Sequence, residues 1–476
     1  MTSILRSFLM AVVCLLGMVM PLGAAAQAPV RLVVTHAYLF TMAPSQREPF
    51  TGYIAVGADG RIAAVGKGEP PASLKTTTVL DAKGHWVIPG FISAHSHLWQ
   101  AAYRGLAADK TLLGWIDELY GRQVVHATDE DLYWFTLEGG LDHLLHGVTA
   151  AYNFNYSGHT RAGKELFSEQ VFRGEMESGI RFVHGWEPGK VSETHTLEVA
   201  REQLKTFLDW TATQTAMNKE PQARDRLLSV MINGGTAFDG TAKQAVMEAA
   251  LMKEFNLGNQ SHYLEQPETQ VEDREKIWPW FTDAGLVNNR MIFGHFIHTD
   301  AAIVATTAKA GAAMAWNPLS NGRLASGVAD IPAYLKAGVR VGMGVDGEAS
   351  ADLADPFENM RTGLYAIRDK YENAGVMSPY DVLRLHTMGS ADVLGVADKL
   401  GSLEMGKMGD FLVIDPGELG HVFDPYATLV FVTSQPDIER VYVGGELVVE
   451  RGKLVKQDLG RVEREVKERV AARSVK

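Results

Sequence analysis

The sequence predicts an α/β fold: a (β/α)8 TIM barrel carrying a small β-sandwich domain formed from the N- and C-terminal flanks. Three observations carry this. Across residues 89–400 apolar, strand-like runs alternate with helical stretches, the pattern of a parallel α/β barrel. Hairpin-like sequence flanks that region on both sides. The chain has 476 residues, 46% of them hydrophobic, enough for one large barrel with an accessory domain.

Residues 1–26 read as a signal peptide. Arg6 gives a positive start, an apolar run covers residues 7–22, and Ala24 and Ala26 give a small-x-small cleavage site. The run is on the short side for a membrane span of roughly 20 residues and leads straight into that site, so cleavage after Ala26 is expected rather than anchoring. The implied location is the periplasm or the extracellular medium, with no stable membrane association after cleavage. Cys14, the only cysteine, falls in this segment, which leaves the mature chain without disulfides or thiolate metal ligands. Losing Arg6 takes the formal charge from -12 to -13. An acidic product with no basic cluster excludes nucleic acid and anionic membrane as partners and points to a small-molecule substrate.

Residues 30–88 alternate short apolar stretches with turns, including Ala58-Asp59-Gly60 between two such stretches, and the same pattern returns over residues 401–455. One small domain built from both ends follows. Within the barrel region, helices are expected at Glu138 to His146, Thr241 to Glu254 and Ile331 to Ala337, each before a strand-like run. The charged tail, residues 456–476, reads as an amphipathic or solvated helix.

Four apolar strands end on chemistry-bearing residues. Residues 87–97 end in His95 and His97; positions i and i+2 of an extended segment point to one side, so both imidazoles can reach one ion. His262 follows a helix and a polar turn, with Glu265 just beyond it, giving a metal donor and a proton carrier. The run from Met291 ends in His295, then His298; the latter is a substrate contact or a loop residue. The run from Val339 ends on Asp346 followed by glycine, where a carboxylate can bind metal and take a proton from water. Barrel enzymes place active residues at the carboxyl ends of different strands, as here. Imidazoles and a carboxylate suit zinc or ferrous iron, zinc being the first expectation.

Trp99 and Trp316 either shape a pocket or pack, and Arg104 and Trp115 either line it or brace its loop. Ser350 is a substrate contact or a turn residue, and Asn317, Ser320 and Asn321 form a loop whose side chains satisfy the backbone or meet substrate.

The ordered set Pro89-Gly-Phe-Ile-Ser-Ala-His95-Ser-His97, Tyr103-Arg104-Gly105, His262-x-x-Glu265, Gly294-His295, Asn317-Pro-Leu-Ser-Asn321 with Gly327, Gly344-Val-Asp346-Gly-x-x-Ser350, and Gly401 to Asp410 resembles the amidohydrolase superfamily. Within it the chain is similar to the cytosine deaminase-like branch of chlorohydrolases and adenosylhomocysteine and guanine deaminases. The resemblance covers nearly the whole mature chain. It implies that His95, His97, His262 and Asp346 bind one divalent metal, that His295 holds the hydrolytic water or polarises the substrate, and that Glu265 shuttles protons. Many relatives carry a second metal on a lysine from the fourth strand. The expected fourth strand here, from Leu227 to Asn233, has no lysine, so one metal is expected. Homo-oligomers are common in the family.

The implied reaction is hydrolytic deamination of an amino-substituted nitrogen heterocycle. The same metal site would serve removal of an amide, chloride or alkylamine group, and a non-catalytic periplasmic binding protein is the reading from another class, against which the proton carriers Glu265, His295 and Asp346 speak.

Overall fold

The computed structural model describes residues 30–76, 78–155, 167–218, 224–238, 240–417 and 420–473. The expected signal peptide and Cys14 lie outside them. Among the described residues no helix is long and apolar enough to cross a membrane.

The N-terminal flank forms β1 (Val30–Leu39), β2 (Phe50–Gly57) and β3 (Ile62–Lys67), paired antiparallel, with the Ala58-Asp59-Gly60 turn between β2 and β3. Gly60 takes φ 79°, the left-handed conformation such turns require. Strands β4 (Val79–Asp81) and β5 (Trp86–Pro89) run parallel to β1.

The barrel follows as β6 (Phe91–His97), β7 (Val148–Asn153), β8 (Arg181–Trp186), β9 (Leu227–Gly234), β10 (Gly258–Tyr263), β11 (Met291–His295), β12 (Ala313–Trp316), β13 (Arg340–Met343) and β14 (Asp346–Gly347). Each pairs in parallel with its sequence neighbour as far as β13, and β14 pairs back onto β6. Only Gly344 and Val345 separate β13 from β14, so the two make one interrupted eighth strand and the barrel closes. The intervening helices match expectation in place but not always in extent. The helix expected from Glu138 starts at Asp129, where Thr128 and Asp131 make a reciprocal capping box; the helix Ile331–Ala337 keeps its expected bounds.

Alternation along the strands sorts two cores. Ile92, Ala94, Ala150, Tyr152, Val183, Met231 and Ile292 fill the barrel, while Phe91, Phe182, Ile232, Phe293 and Met314 pack outward against the helices.

After the barrel come β15 (Phe411–Ile414), β16 (Ile438–Val443), β17 (Glu446–Glu450) and β18 (Lys453–Leu454). β15 pairs with β5, which joins the two flanks in one continuous, mainly antiparallel sheet of order β18-β17-β16-β15-β5-β1-β2-β3. The layered small domain expected from the flanks is therefore a single sheet, curled so that Val34, Ile54, Ile62, Phe411 and Val413 share one core. Asp410 docks it on the barrel: its carboxylate accepts from Arg181 Nε at 2.7 Å and from Gly444 N at 2.7 Å, all buried. The charged tail is an amphipathic helix, Leu459–Arg473. Val462 and Val466 pack inward, and Arg469 and Arg473 hold the buried carboxylate of Asp131 at 2.9 and 3.1 Å.

Candidate active site

The strand ends depart from regular β geometry where the site forms. In β6, Ile92 and Ala94 face the interior, so strict alternation would send Ser96 inward and both histidines outward. The β6–β7 register slips by one residue between Ser93 and Ser96, with Ser93 Oγ donating to His95 O at 2.8 Å. This bulge re-phases the strand and turns His95 and His97 inward. In β10, Gln260 and His262 face inward by alternation; Leu264 then takes φ 53°, which buries it and brings Glu265 to the same mouth. His295 (φ 65°) and Asp346 (φ 62°) also occupy the left-handed region, conformations of order 1–3 kcal/mol each that surrounding structure must hold.

The donors converge. His262 Nε2 lies 3.1 Å from His95 Nε2 and 3.2 Å from His97 Nε2. Asp346 Oδ1 lies 3.5 and 3.3 Å from the same two nitrogens. Donors around one ion with bonds of roughly 2.0–2.1 Å stand about 3.3–3.4 Å apart in a tetrahedron. This is close to the separation between His262 and each of the other two imidazoles, and Asp346 Oδ1 approaches His95 and His97 at similar spacing, which suits an ion of zinc type. All four residues are buried. Clusters of ring-nitrogen lone pairs facing one another are unfavourable unless something electropositive lies between them, which is the physical fit of this set to a metal.

Electrostatics agree. Burial first, then the neighbouring histidines, lower the His95 imidazole to about 3, and the same causes hold His262 well below its ordinary range, so both are neutral donors. Burial pushes Asp346 up, but its hydrogen bond with His97 and the attraction of the surrounding imidazoles outweigh it and leave its carboxyl well below the usual range. Glu265 goes the other way: burial and Asp346 raise it to about 7 against the opposing pull of His295. Glu265 Oε1 is 3.5 Å from His295 Nδ1, and His295 Nε2 is 3.8 Å from Asp346 Oδ2. His295 Nδ1 also meets Asn321 Oδ1 at 2.7 Å.

These polar groups form the floor of a cavity of about 150 Å³ walled by Leu112, Trp115, Ile116, Tyr120, Phe238 and Leu324, with Ser350 at its edge. Ser350 combines both expected roles, lining the cavity while its hydroxyl donates to Gly347 O at 3.0 Å. Four residues named above as substrate contacts do not line this cavity. Trp99 is fully buried behind Tyr120, their rings 5.6 Å apart. Arg104 is turned away into an ion pair with the buried Glu348, Nε to Oε2 at 2.6 Å. His298 braces the loop at Ser326, Nε2 to O at 2.7 Å. Asn317 sits behind His295, its Nδ2 3.3 Å from Nε2, and acts on that ring rather than on a ligand. Trp316 is core packing.

Of the apolar walls only Trp115 was read from the sequence, and it fills both expected roles, lining the cavity while its Nε1 donates to Ala349 O at 2.8 Å. Leu112 and Ile116 share with it the apolar face of the short helix Leu112–Ile116, an i, i+3, i+4 signal that could have found them. Tyr120, Phe238 and Leu324 carry no such signal. Gln260, which faces His95, was also missed. The inward positions at the end of β9, the fourth strand, are Met231 and Asn233, and Asn233 accepts from Tyr152 Oη at 2.5 Å, so no second bridging ligand stands there.

Comparison with known proteins adds the following. The amidohydrolase family model matches residues 86–448. The chain is 28% identical over 433 residues to a 5-methylthioadenosine/S-adenosylhomocysteine deaminase of Desulforudis audaxviator, covering 89% of this chain and 94% of that one. Against the protein of the same name from Syntrophobacter fumaroxidans it is 26% identical over 465 residues, covering 94% and 98%. Among solved structures, an adenosine deaminase from Xanthomonas campestris with bound zinc superimposes with a TM-score of 0.80 at 20% identity, over 94% of this chain and 99% of that one. An atrazine chlorohydrolase from Arthrobacter aurescens complexed with zinc gives 0.78 at 21% identity, over 92% and 100%. These structural likenesses establish the shared fold.

Proposed function

The chain belongs to the amidohydrolase family and is a metal-dependent hydrolase of non-peptide carbon–nitrogen bonds; from that premise we propose that it deaminates an amino-substituted nitrogen heterocycle, with His95, His97, His262 and Asp346 holding one divalent metal, zinc in the first instance. The observation that carries the reading is Glu265: a buried carboxyl raised to about 7, at the floor of an apolar cavity, beside four converging donors. A divalent ion in such a set supplies Lewis acidity and brings hydroxide within reach at neutral pH.

The remaining chemistry is the work of side chains. Asp346, ionised, accepts the proton of the attacking water. Glu265, its carboxyl raised to about 7, gives its proton to a ring nitrogen, which makes the amino-bearing carbon electrophilic; the carboxylate left behind then takes the hydroxyl proton of the tetrahedral centre and passes it to the departing amine, so that the carbonyl forms and ammonia leaves. His295 faces both carboxylates, and with Nδ1–H directed at Asn321 its Nε2 is set to take a proton from the Asp346 side and, once protonated, to donate to the oxygen of the tetrahedral centre. Leu112, Trp115, Ile116 and Leu324 exclude water from the ring.

The relatives' names make 5-methylthioadenosine, S-adenosylhomocysteine and adenosine the first substrates to try, followed by guanine, pterins and aminotriazines. The test is ammonia release and product mass from this panel, with metal content measured on the same sample. Ammonia with an oxo-heterocycle product supports the proposal. Metal without ammonia from any ring moves the reading to another leaving group, for which the chlorohydrolase fold neighbour is the guide. We read residues 1–26 as directing export, which fractionation tests, and homo-oligomer formation as a family-based expectation for sedimentation.

A further inference from the structure

We propose that Gln260 is a positioning residue of the metal site, fixing the tautomer and ring orientation of His95; the inference rests on the metal reading above. His95 is the residue common to both groups of converging donors, His95 with His97 and His262, and His95 with His295 and Asp346. Its ring is enclosed. A Cβ at Gly344 would come within 2.8 Å of His95 Cβ, so the β13–β14 junction passes this close only because it carries glycine there, while a Cβ at Gly294 on β11 would stand at contact distance, 3.4 Å, from His95 Cε1.

The remaining side of the ring is Gln260. This residue lies on β10 two positions before His262 and faces inward with it. Its Nε2 donates to Ala94 O at 2.8 Å, and its Oε1 meets His95 Nδ1. The backbone carbonyl of Ala94 only accepts, so the amide nitrogen must face it and the amide oxygen must face His95. An amide oxygen also only accepts, so Nδ1 of His95 carries the ring proton and Nε2 turns its lone pair toward His262 and Asp346. A backbone carbonyl thus dictates, through one neutral side chain, which nitrogen of His95 is offered to the ion. Two further imidazoles are held by neutral acceptors too, His97 Nδ1 on Phe154 O at 3.0 Å and His295 Nδ1 on Asn321 Oδ1 at 2.7 Å.

The test is metal affinity of the full-length protein by chelator competition, beside thermal melting of the metal-free form. Gln260→Met keeps the length and removes the acceptor; it should weaken zinc binding 10- to 100-fold. Gln260→Glu restores an acceptor for His95 and should bring affinity back to within about threefold of wild type. If Gln260 merely ties strands together through Ala94, Met and Glu variants will lose affinity alike. Wild-type affinity in Gln260→Met, or no recovery in Gln260→Glu, overturns the proposal. Should Gln260→Met fail to fold, Gln260→Asn, one methylene short of His95, replaces it with the same expected loss. Failure of the wild type itself to bind zinc would instead remove the metal reading, which keeps the two outcomes apart.

Discussion

Replacing Glu265 by Gln separates proton transfer from metal binding. The substitution keeps shape and burial, leaves a donor amide in the cavity, and removes the ability to give and take a proton. Glu265 is 4% exposed, so bulk solvent does not reach it to take over its role. Its carboxyl stands at about 7, so both protonation states are populated near neutrality and proton transfer to the ring nitrogen and the leaving amine depends on it. Such a contribution is roughly 10²- to 10⁴-fold, or about 2.7–5.4 kcal/mol of barrier. Glu265 belongs to neither group of converging donors, so metal content should stay at the wild-type value. Steady-state ammonia release and elemental analysis on the same preparation read both quantities. Turnover within about threefold of wild type refutes the role of Glu265, and metal lost along with activity refutes the separation of proton carrier from ligand.

Two further outcomes concern the scaffold around the site. Arg104→Met strips the buried Glu348 of its ion-pair partner while leaving the cavity lining intact; a loss of about 3–5 kcal/mol in unfolding free energy by denaturant titration is expected, with Arg104→Lys intermediate. Glu138 is raised by burial from 4.5 to about 7 despite the opposing charge of Arg104. Between these values the folded chain binds a proton that the unfolded chain has lost, so stability falls as pH rises through that window, by up to about 3 kcal/mol. Glu138→Gln should flatten this slope and gain stability relative to wild type at pH 8, read by chemical denaturation across pH; an unchanged slope contradicts the assignment.

The barrel was legible because its strands and helices alternate with clear periods, and because four of its apolar strands end at a histidine or an acid. The joining of the flanks was legible for the same reason, but its form was not: whether β15 pairs with β5 or faces it is a matter of register that hydrophobic pattern leaves open. His95, His97, His262 and Asp346 converge as their strand-end positions suggested, although the means differ. Simple alternation along β6 would have turned the histidines outward, and it is the bulge after Ser93 that turns them in. Glu265 stands at i+3 from His262, a spacing that faces the same way only because Leu264 is left-handed. Trp99, Arg104, His298 and Asn317 did not reach the cavity because sequence proximity to a ligand says nothing of which side of a loop a side chain takes. Arg104 in particular was committed elsewhere by Glu348, a carboxylate too deeply buried to stand alone.

The central claim is that one metal ion and the carboxyl of Glu265 together remove an amino group from a ring. The most direct measurement is metal per chain by elemental analysis, before stripping, after chelation and after zinc is restored, with ammonia release from the panel recorded at each stage. The account predicts one ion per chain, activity lost with it and regained with it. Full ammonia release from metal-free protein, or two ions needed for activity, would contradict it.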